Sequence, residues 1–221
     1  MLNILCAQTS EMPEVQTLPE WLSPARARRL STINNPRVLK NSVAAEALLR
    51  CALGLTPQDA PLDMTIGENG KPACADVQFS FSHSGDMVAC AVSDCPVGVD
   101  IEFSKKDGWP VAQRFFAAEE VELLRNSQDS ALFYRLWTLK ESYLKALGCG
   151  MTKPLASFSV RFENAEPRIY EAGTYRDAGL FSRPLLDGWL AACTLPGGRT
   201  PCVRLFEITP EYRVCFKKEL T

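Results

Sequence analysis

Residues 77–102 read VQFSFSHSGDMVACAVSDCPVGVDIE. Three short runs rich in apolar and β-branched residues, 77–81, 87–92 and 97–102, are separated by the turn signals Ser-Gly-Asp and Asp-Cys-Pro. That spacing predicts consecutive antiparallel strands. In the last run, alternation sends Val97, Val99 and Ile101 to one face and Asp100 and Glu102 to the other, with Cα atoms roughly 7 Å apart. Gly98 leaves room beside them.

Before this stretch, residues 2–7 read as a strand and residues 42–53 (SVAAEALLRCAL) as a helix stopped by Gly54. After it, residues 117–125 and 130–147 carry helical periodicity, the second closed by Gly148 and Gly150. Strand-like runs return at 158–162, 189–195, 203–208 and 212–216. A strand-helix-strand pattern that occurs twice, with hairpin-length connections, predicts an α+β protein with antiparallel sheets rather than a parallel doubly wound one. The boundary between two lobes is expected near residues 104–109, giving lobes 1–104 and 105–221.

The chain has 221 residues, 46% hydrophobic and 23% charged, enough for a real core. A net charge of -2 supplies no basic field to draw it onto nucleic acid or an anionic membrane. No apolar run approaches the roughly 20 residues that span a bilayer, and the N-terminal stretch has no basic region followed by an apolar one. A cytoplasmic location is the expectation. The nine cysteines are scattered and never spaced C-x-x-C, and there is one histidine, so zinc is disfavoured. They read as reduced, mostly buried small residues.

Two carboxylates on one strand face form half of a hard-cation site, the kind that suits magnesium completed by water and substrate phosphate. The plainer reading is an edge strand whose acids face solvent. Residues 137–148 read WTLKESYLKALG. On a helix, Leu132, Leu136, Leu139, Tyr143 and Leu147 make a core stripe, while Trp137, Glu141 and Lys145 share a neighbouring stripe. Glu141 and Lys145 alone are an ordinary i, i+4 pair worth about 0.2 to 0.5 kcal/mol. Set beside Asp100 and Glu102, however, Glu141 completes a magnesium site and the Lys145 ammonium stands ready for a phosphate oxygen.

The ordered set FSFSHS at 79–84, GVDIE at 98–102, RFFAAEE at 114–120 and WTLKESYLKALG at 137–148 resembles the phosphopantetheinyl transferases. The strict match spans residues 70–153, and the length resembles the two-lobed, Sfp-like branch, a monomer with a pseudo-two-fold fold of two sheet-plus-helix halves. The resemblance implies transfer of the 4'-phosphopantetheine arm of coenzyme A to a serine of an apo acyl or peptidyl carrier protein, with Mg²⁺, releasing adenosine 3',5'-bisphosphate. Coenzyme A and the carrier are the implied partners, with no nucleic acid and no membrane.

Carried over residue by residue, Asp100, Glu102 and Glu141 would hold the metal with the diphosphate of coenzyme A. Lys145 would contact that diphosphate, and Glu141, directly or through a water on the metal, would be the base. His83, the lone histidine, matches one that touches the 3'-phosphate in the family, against the plainer reading of a structural histidine. Ser82 stands beside it. Gly70-Lys71-Pro72 resembles the turn near the adenine and its phosphates, and is also simply a favourable turn sequence. Arg26, Arg28, Arg29 and Lys40 are candidates for the 3'-phosphate, or else a solvated basic surface; the family often has an arginine where this chain has Asn41. Trp137 reads as packing, and Lys140 reaches a phosphate or lies on the surface. Under this resemblance the first lobe takes the adenine and 3'-phosphate side, the second the catalytic lysine and the carrier. A catalytically silent coenzyme A or carrier-binding module is the main rival. A different phosphotransferase or nucleotide hydrolase would show a P-loop or kinase set, and neither is present.

Overall fold

The computed structural model describes residues 1–67, 70–103 and 107–220, with the side chain of residue 151 excepted. The chain forms two compact units, residues 1–94 with 200–221 and residues 95–199. The boundary expected at 104/105 lies at residues outside the described ones, and the units divide elsewhere: the strand with Asp100 and Glu102 belongs to the second unit, and the last two strands return to the first.

In the first unit, β1 (Leu2–Gln8), β4 (Gln78–Ser84), β5 (Met87–Ser93), β12 (Pro201–Ile208) and β13 (Val214–Leu220) make a five-stranded sheet in the order β13-β12-β1-β5-β4. All its pairings are antiparallel except β1 with β12, which is parallel. Helix α1 (Pro24–Leu30) and the hairpin of β2 (Met64–Ile66) and β3 (Pro72–Cys74) were not foreseen from sequence. Helix α2 (Pro36–Ala52) starts six residues earlier than the apolar spacing indicates, because Pro36 opens it and Asn35 Oδ1 caps the amides of Arg37 and Val38. Ala44, Leu48 and Leu49 of α2 share a core cluster with Leu5, Phe79, Val88, Cys90 and Phe206.

The second unit holds β6 (Val97–Glu102), α3 (Trp109–Phe115), α4 (Ala118–Asn126), α5 (Leu132–Leu147), β7 (Phe158–Glu163), β8 (Glu166–Glu171), β9 (Thr174–Arg176), β10 (Gly179–Leu185) and β11 (Gly188–Thr194). Its sheets run β10-β11-β6 and β7-β8-β9, both antiparallel. The expected three-strand meander is therefore half right: β4 pairs with β5, whereas β6 pairs with β11. The turn at Asp94-Cys95-Pro96 marks a change of unit, a step that local turn chemistry does not distinguish from a hairpin.

Leu136, Leu139, Tyr143 and Leu144 of α5 pack with Phe158, Val160, Ile169, Ala191 and Cys193. Leu136 and Leu139 are wholly buried, each contributing about 1.5 to 3 kcal/mol. Leu147, expected in this stripe, is 41% exposed. It is the last residue of the helix, and Leu144 fills the core position instead. Gly148, at φ 70°, stops α5 by donating to the Leu144 carbonyl at 3.0 Å. All nine cysteines are free, but only Cys6, Cys90, Cys95 and Cys193 are buried, fewer than expected. Among the described residues no helix is long and apolar enough to cross a membrane.

Candidate active site

The strand and the helix meet at Gly98. A Cβ there would lie 1.9 Å from the Ser142 carbonyl oxygen, 2.5 Å from the Ala146 nitrogen and 2.9 Å from Lys145 Cβ, so only glycine lets α5 approach β6 this closely. Because β6 pairs Gly98 with Cys193 and Asp100 with Ala191, and both partners join the α5 core cluster, the same face carries Gly98, Asp100 and Glu102 toward the helix. Val97, Val99 and Ile101 are buried on the other face, as alternation requires.

Asp100 is buried, and its carboxylate meets Lys145 of α5: Nζ lies 2.7 Å from Asp100 Oδ1 and donates to the Val99 carbonyl at 3.0 Å. One helical turn earlier is Glu141. Its burial, and then the negative charge of Asp100, push its carboxyl above the usual range, against the pull of Lys145. Glu102, two residues along the strand face, accepts from the Phe103 amide at 3.0 Å. The plainer reading holds in part: β6 is the edge strand of the β10-β11-β6 sheet and Glu102 is half-buried, but Asp100 is buried under α5 and does not face solvent.

These side chains have the chemistry a hard divalent ion needs: three carboxylates, two on one strand face and a third whose ionisation is opposed by its acidic neighbour. As they stand, no three His, Cys, Asp or Glu side chains among the described residues converge closely enough to ligate one ion. A cation, the Lys145 ammonium, is already drawn to Asp100.

Lys140 corrects an expectation. It is wholly buried, and Nζ donates to Glu120 Oε1 and Oε2 at 2.9 and 2.7 Å and to the Phe158 carbonyl at 2.7 Å. With an ammonium's three donors engaged and the Phe158 ring 4.2 Å away, Lys140 has nothing left for a phosphate. Glu120 also accepts from the amides of Val160 and Ala117, at 2.8 and 3.0 Å, so one acid fastens α4 to α5 and β7. Burial pushes Glu120 up and Lys140 down, each opposed by the other's charge. Trp137 packs as expected, stacking with Phe116 and Phe133.

In the first unit, His83 is exposed near the end of β4 and Ser82 beside it is buried. The hairpin tip that follows is pinned by Asn41, whose Nδ2 donates to the Gly85 carbonyl at 2.9 Å while Oδ1 accepts from Thr9 Oγ1 at 2.6 Å. Sequence reasoning noted Asn41 only as a missing arginine; its structural role needs partners 32 and 44 residues away. The Gly70-Lys71-Pro72 segment is a turn, with Gly70 at φ 76° and the Lys71 carbonyl accepting from Gly67 at 2.9 Å. Pro72 opens β3.

Of the basic run, Arg26 is buried and paired with Glu46 at 2.9 Å, which removes it from the candidates. Arg28 is exposed, whereas the Arg29 guanidinium lies against this turn, 3.4 Å from the point a Gly70 Cβ would occupy. Lys40 donates to the Met12 carbonyl at 3.4 Å. Helical phase turns Arg28, two residues on, away from Arg26, but leaves Arg29 on the neighbouring stripe; what distinguishes Arg26 from Arg29 is the buried Glu46 beside it.

Residues 96–194, nearly the whole second unit, match the 4'-phosphopantetheinyl transferase superfamily. A 4'-phosphopantetheinyl transferase of Bacillus subtilis is 35% identical over 170 residues, 74% of this chain and 65% of the relative. The transferase Sfp of Bacillus subtilis (strain 168) is 29% identical over 210 residues, 91% of this chain and 84% of the relative. The transferase HetI of Nostoc sp. is 32% identical over 168 residues, 70% of each chain. The chain belongs to the 4'-phosphopantetheinyl transferase superfamily.

Proposed function

We propose that this chain is a magnesium-dependent holo-carrier-protein synthase that transfers 4'-phosphopantetheine from coenzyme A to a serine of an apo acyl or peptidyl carrier protein. The observation that carries the reading is the meeting of Asp100, Glu141 and Lys145 across Gly98, in a chain whose family is named for that transfer. Asp100, Glu102 and Glu141 would hold the metal, which when bound supplies neutralisation and polarisation of the diphosphate oxygens.

The chain's own residues then have distinct tasks. Glu141, poised as a base by its raised affinity for a proton, accepts the hydrogen of the carrier serine hydroxyl. The serine oxygen attacks the phosphorus that bears pantetheine, in line with the bridging oxygen to the departing adenosine 3',5'-bisphosphate. That P–O bond breaks, and the Lys145 ammonium steadies the charge left on the departing phosphate. In the first unit, His83, Ser82, Lys71 and Pro72 would bind the adenine and 3'-phosphate end, with Lys40 and with Arg29 taking the place expected for Arg28. We place the enzyme in the cytoplasm as a monomer, with no nucleic acid or membrane partner.

Intact mass of an apo carrier incubated with the protein, coenzyme A and Mg²⁺ should rise by one phosphopantetheine, and chelator should prevent it. Asp100→Ala or Glu141→Ala should abolish the conversion. Either variant working at the wild-type rate would show that the metal assignment is wrong.

A further inference from the structure

We infer that Lys145 is a place-holding cation: without metal its ammonium occupies the Asp100 carboxylate, and a divalent ion must expel it, releasing the ammonium to the diphosphate of coenzyme A. This deepens, and rests on, the metal site proposed above.

Three observations support it. Asp100 is buried, its side chain 9% exposed, so its charge needs a partner whether or not metal is bound. A cationic partner is at hand in Lys145, 2.7 Å away, which also donates to the Val99 carbonyl. And among the described residues no three His, Cys, Asp or Glu are grouped so as to hold one ion, as expected where an ammonium engages one of the carboxylates.

The lysine is also able to leave. Its side chain is 29% exposed, on a four-carbon stem with free rotation, and it meets Asp100 through the single oxygen Oδ1. A divalent ion and an ammonium drawn to the same acid repel each other across a few ångströms of partly dry protein. Whichever binds Asp100 therefore weakens the other. Once displaced, the ammonium finds in the diphosphate an anion of higher charge, so metal and coenzyme A should favour each other's binding by the same factor.

The sign of this competition is testable without turnover. Mn²⁺ is titrated into folded wild-type protein and into Lys145→Gln and Lys145→Arg, the free ion being read by electron paramagnetic resonance, with and without coenzyme A; circular dichroism establishes that each variant is folded. Without coenzyme A, Lys145→Gln should bind Mn²⁺ roughly three- to ten-fold more tightly than wild type, the scale of one partly exposed ion pair removed from the competition. Lys145→Arg, which keeps a cation, should not gain. Coenzyme A should tighten Mn²⁺ binding to wild type more than to Lys145→Gln. If wild type binds Mn²⁺ but folded Lys145→Gln binds it no more tightly, the inference is overturned and the metal site stands. If wild type binds no Mn²⁺ even with coenzyme A, the site itself is refuted and the inference with it.

Discussion

Helix α5 carries two lysines five residues apart, each paired with an acid, and the two pairs have opposite characters. Lys140 is wholly buried against Glu120 and the Phe158 carbonyl, with every donor engaged. Lys145 is 29% exposed and holds Asp100 by one carboxylate oxygen and the strand by a carbonyl. The first ties secondary structure together; the second leaves its cation exchangeable. What separates them is helical phase: five residues carry the chain about 140° past a full turn, from the face against α4 and β7 to the face over β6.

The contrast predicts unequal responses to the same substitution. Lys140→Met should cost about 3 to 5 kcal/mol, because Glu120 stays buried without its cation, whereas Lys145→Met should cost about 1 to 2 kcal/mol, since Asp100 is buried but the lysine is partly exposed and water can take its place. Urea denaturation of both variants measures the difference; equal losses would mean that the two pairs are energetically alike. Lys140→Met/Glu120→Leu should recover only part of the loss, since the Ala117 and Val160 amides then lack their acceptor.

Next in size is the contact that sets the Lys145 side of the helix. Gly98→Ala places a methyl against backbone atoms of α5, which yield only if the helix moves, at a cost of about 1 to 3 kcal/mol. Transfer activity should fall with it, by displacement of Glu141 from Asp100. Stability and carrier conversion measured on this one variant show whether the close approach serves packing alone.

A third contact of α5 lies between these extremes and gives the smallest effect. Tyr143 donates to Glu171 at 2.8 Å, and Lys153 and Arg176 reach the same carboxylate at 2.9 and 2.8 Å. Burial alone would raise Glu171, but the hydrogen bonds of Lys153, Tyr143 and Arg176 and the charge of Lys153 hold it below the usual carboxylate range. A depressed carboxyl stabilises the fold fully above its unfolded value and loses that share as acid titrates it through the folded one. Glu171→Gln should therefore flatten the acid limb of the stability curve below about pH 5, as followed by denaturation midpoints from neutral to acid pH. An unchanged limb would mean that Glu171 titrates alike in folded and unfolded chains.

Much of this was legible in the sequence. Alternation in GVDIE put Asp100 and Glu102 on one face, and helical periodicity put Glu141 and Lys145 on a shared stripe, because both readings depend on spacing within a few residues. Lys140 was not legible: its partners are 20 and 18 residues away, on elements whose placement no local pattern reveals. Arg26 and Arg29 look equivalent in a basic run, yet one is neutralised by Glu46 and the other lies at the Gly70 turn. The change of unit at residue 95 was hidden for the same reason, since strand character does not say which partner a strand will choose.

The first unit is assembled from both ends of the chain, while the second is one continuous stretch. On a ribosome the second unit emerges whole before β12 exists, so β1 must wait with one edge bare until its parallel neighbour is synthesised. A nascent chain halted near residue 199 would present that edge to other chains, a ready template for aggregation. Folding order here is set by topology, and strands made after the second unit are the ones that close the sheet begun before it.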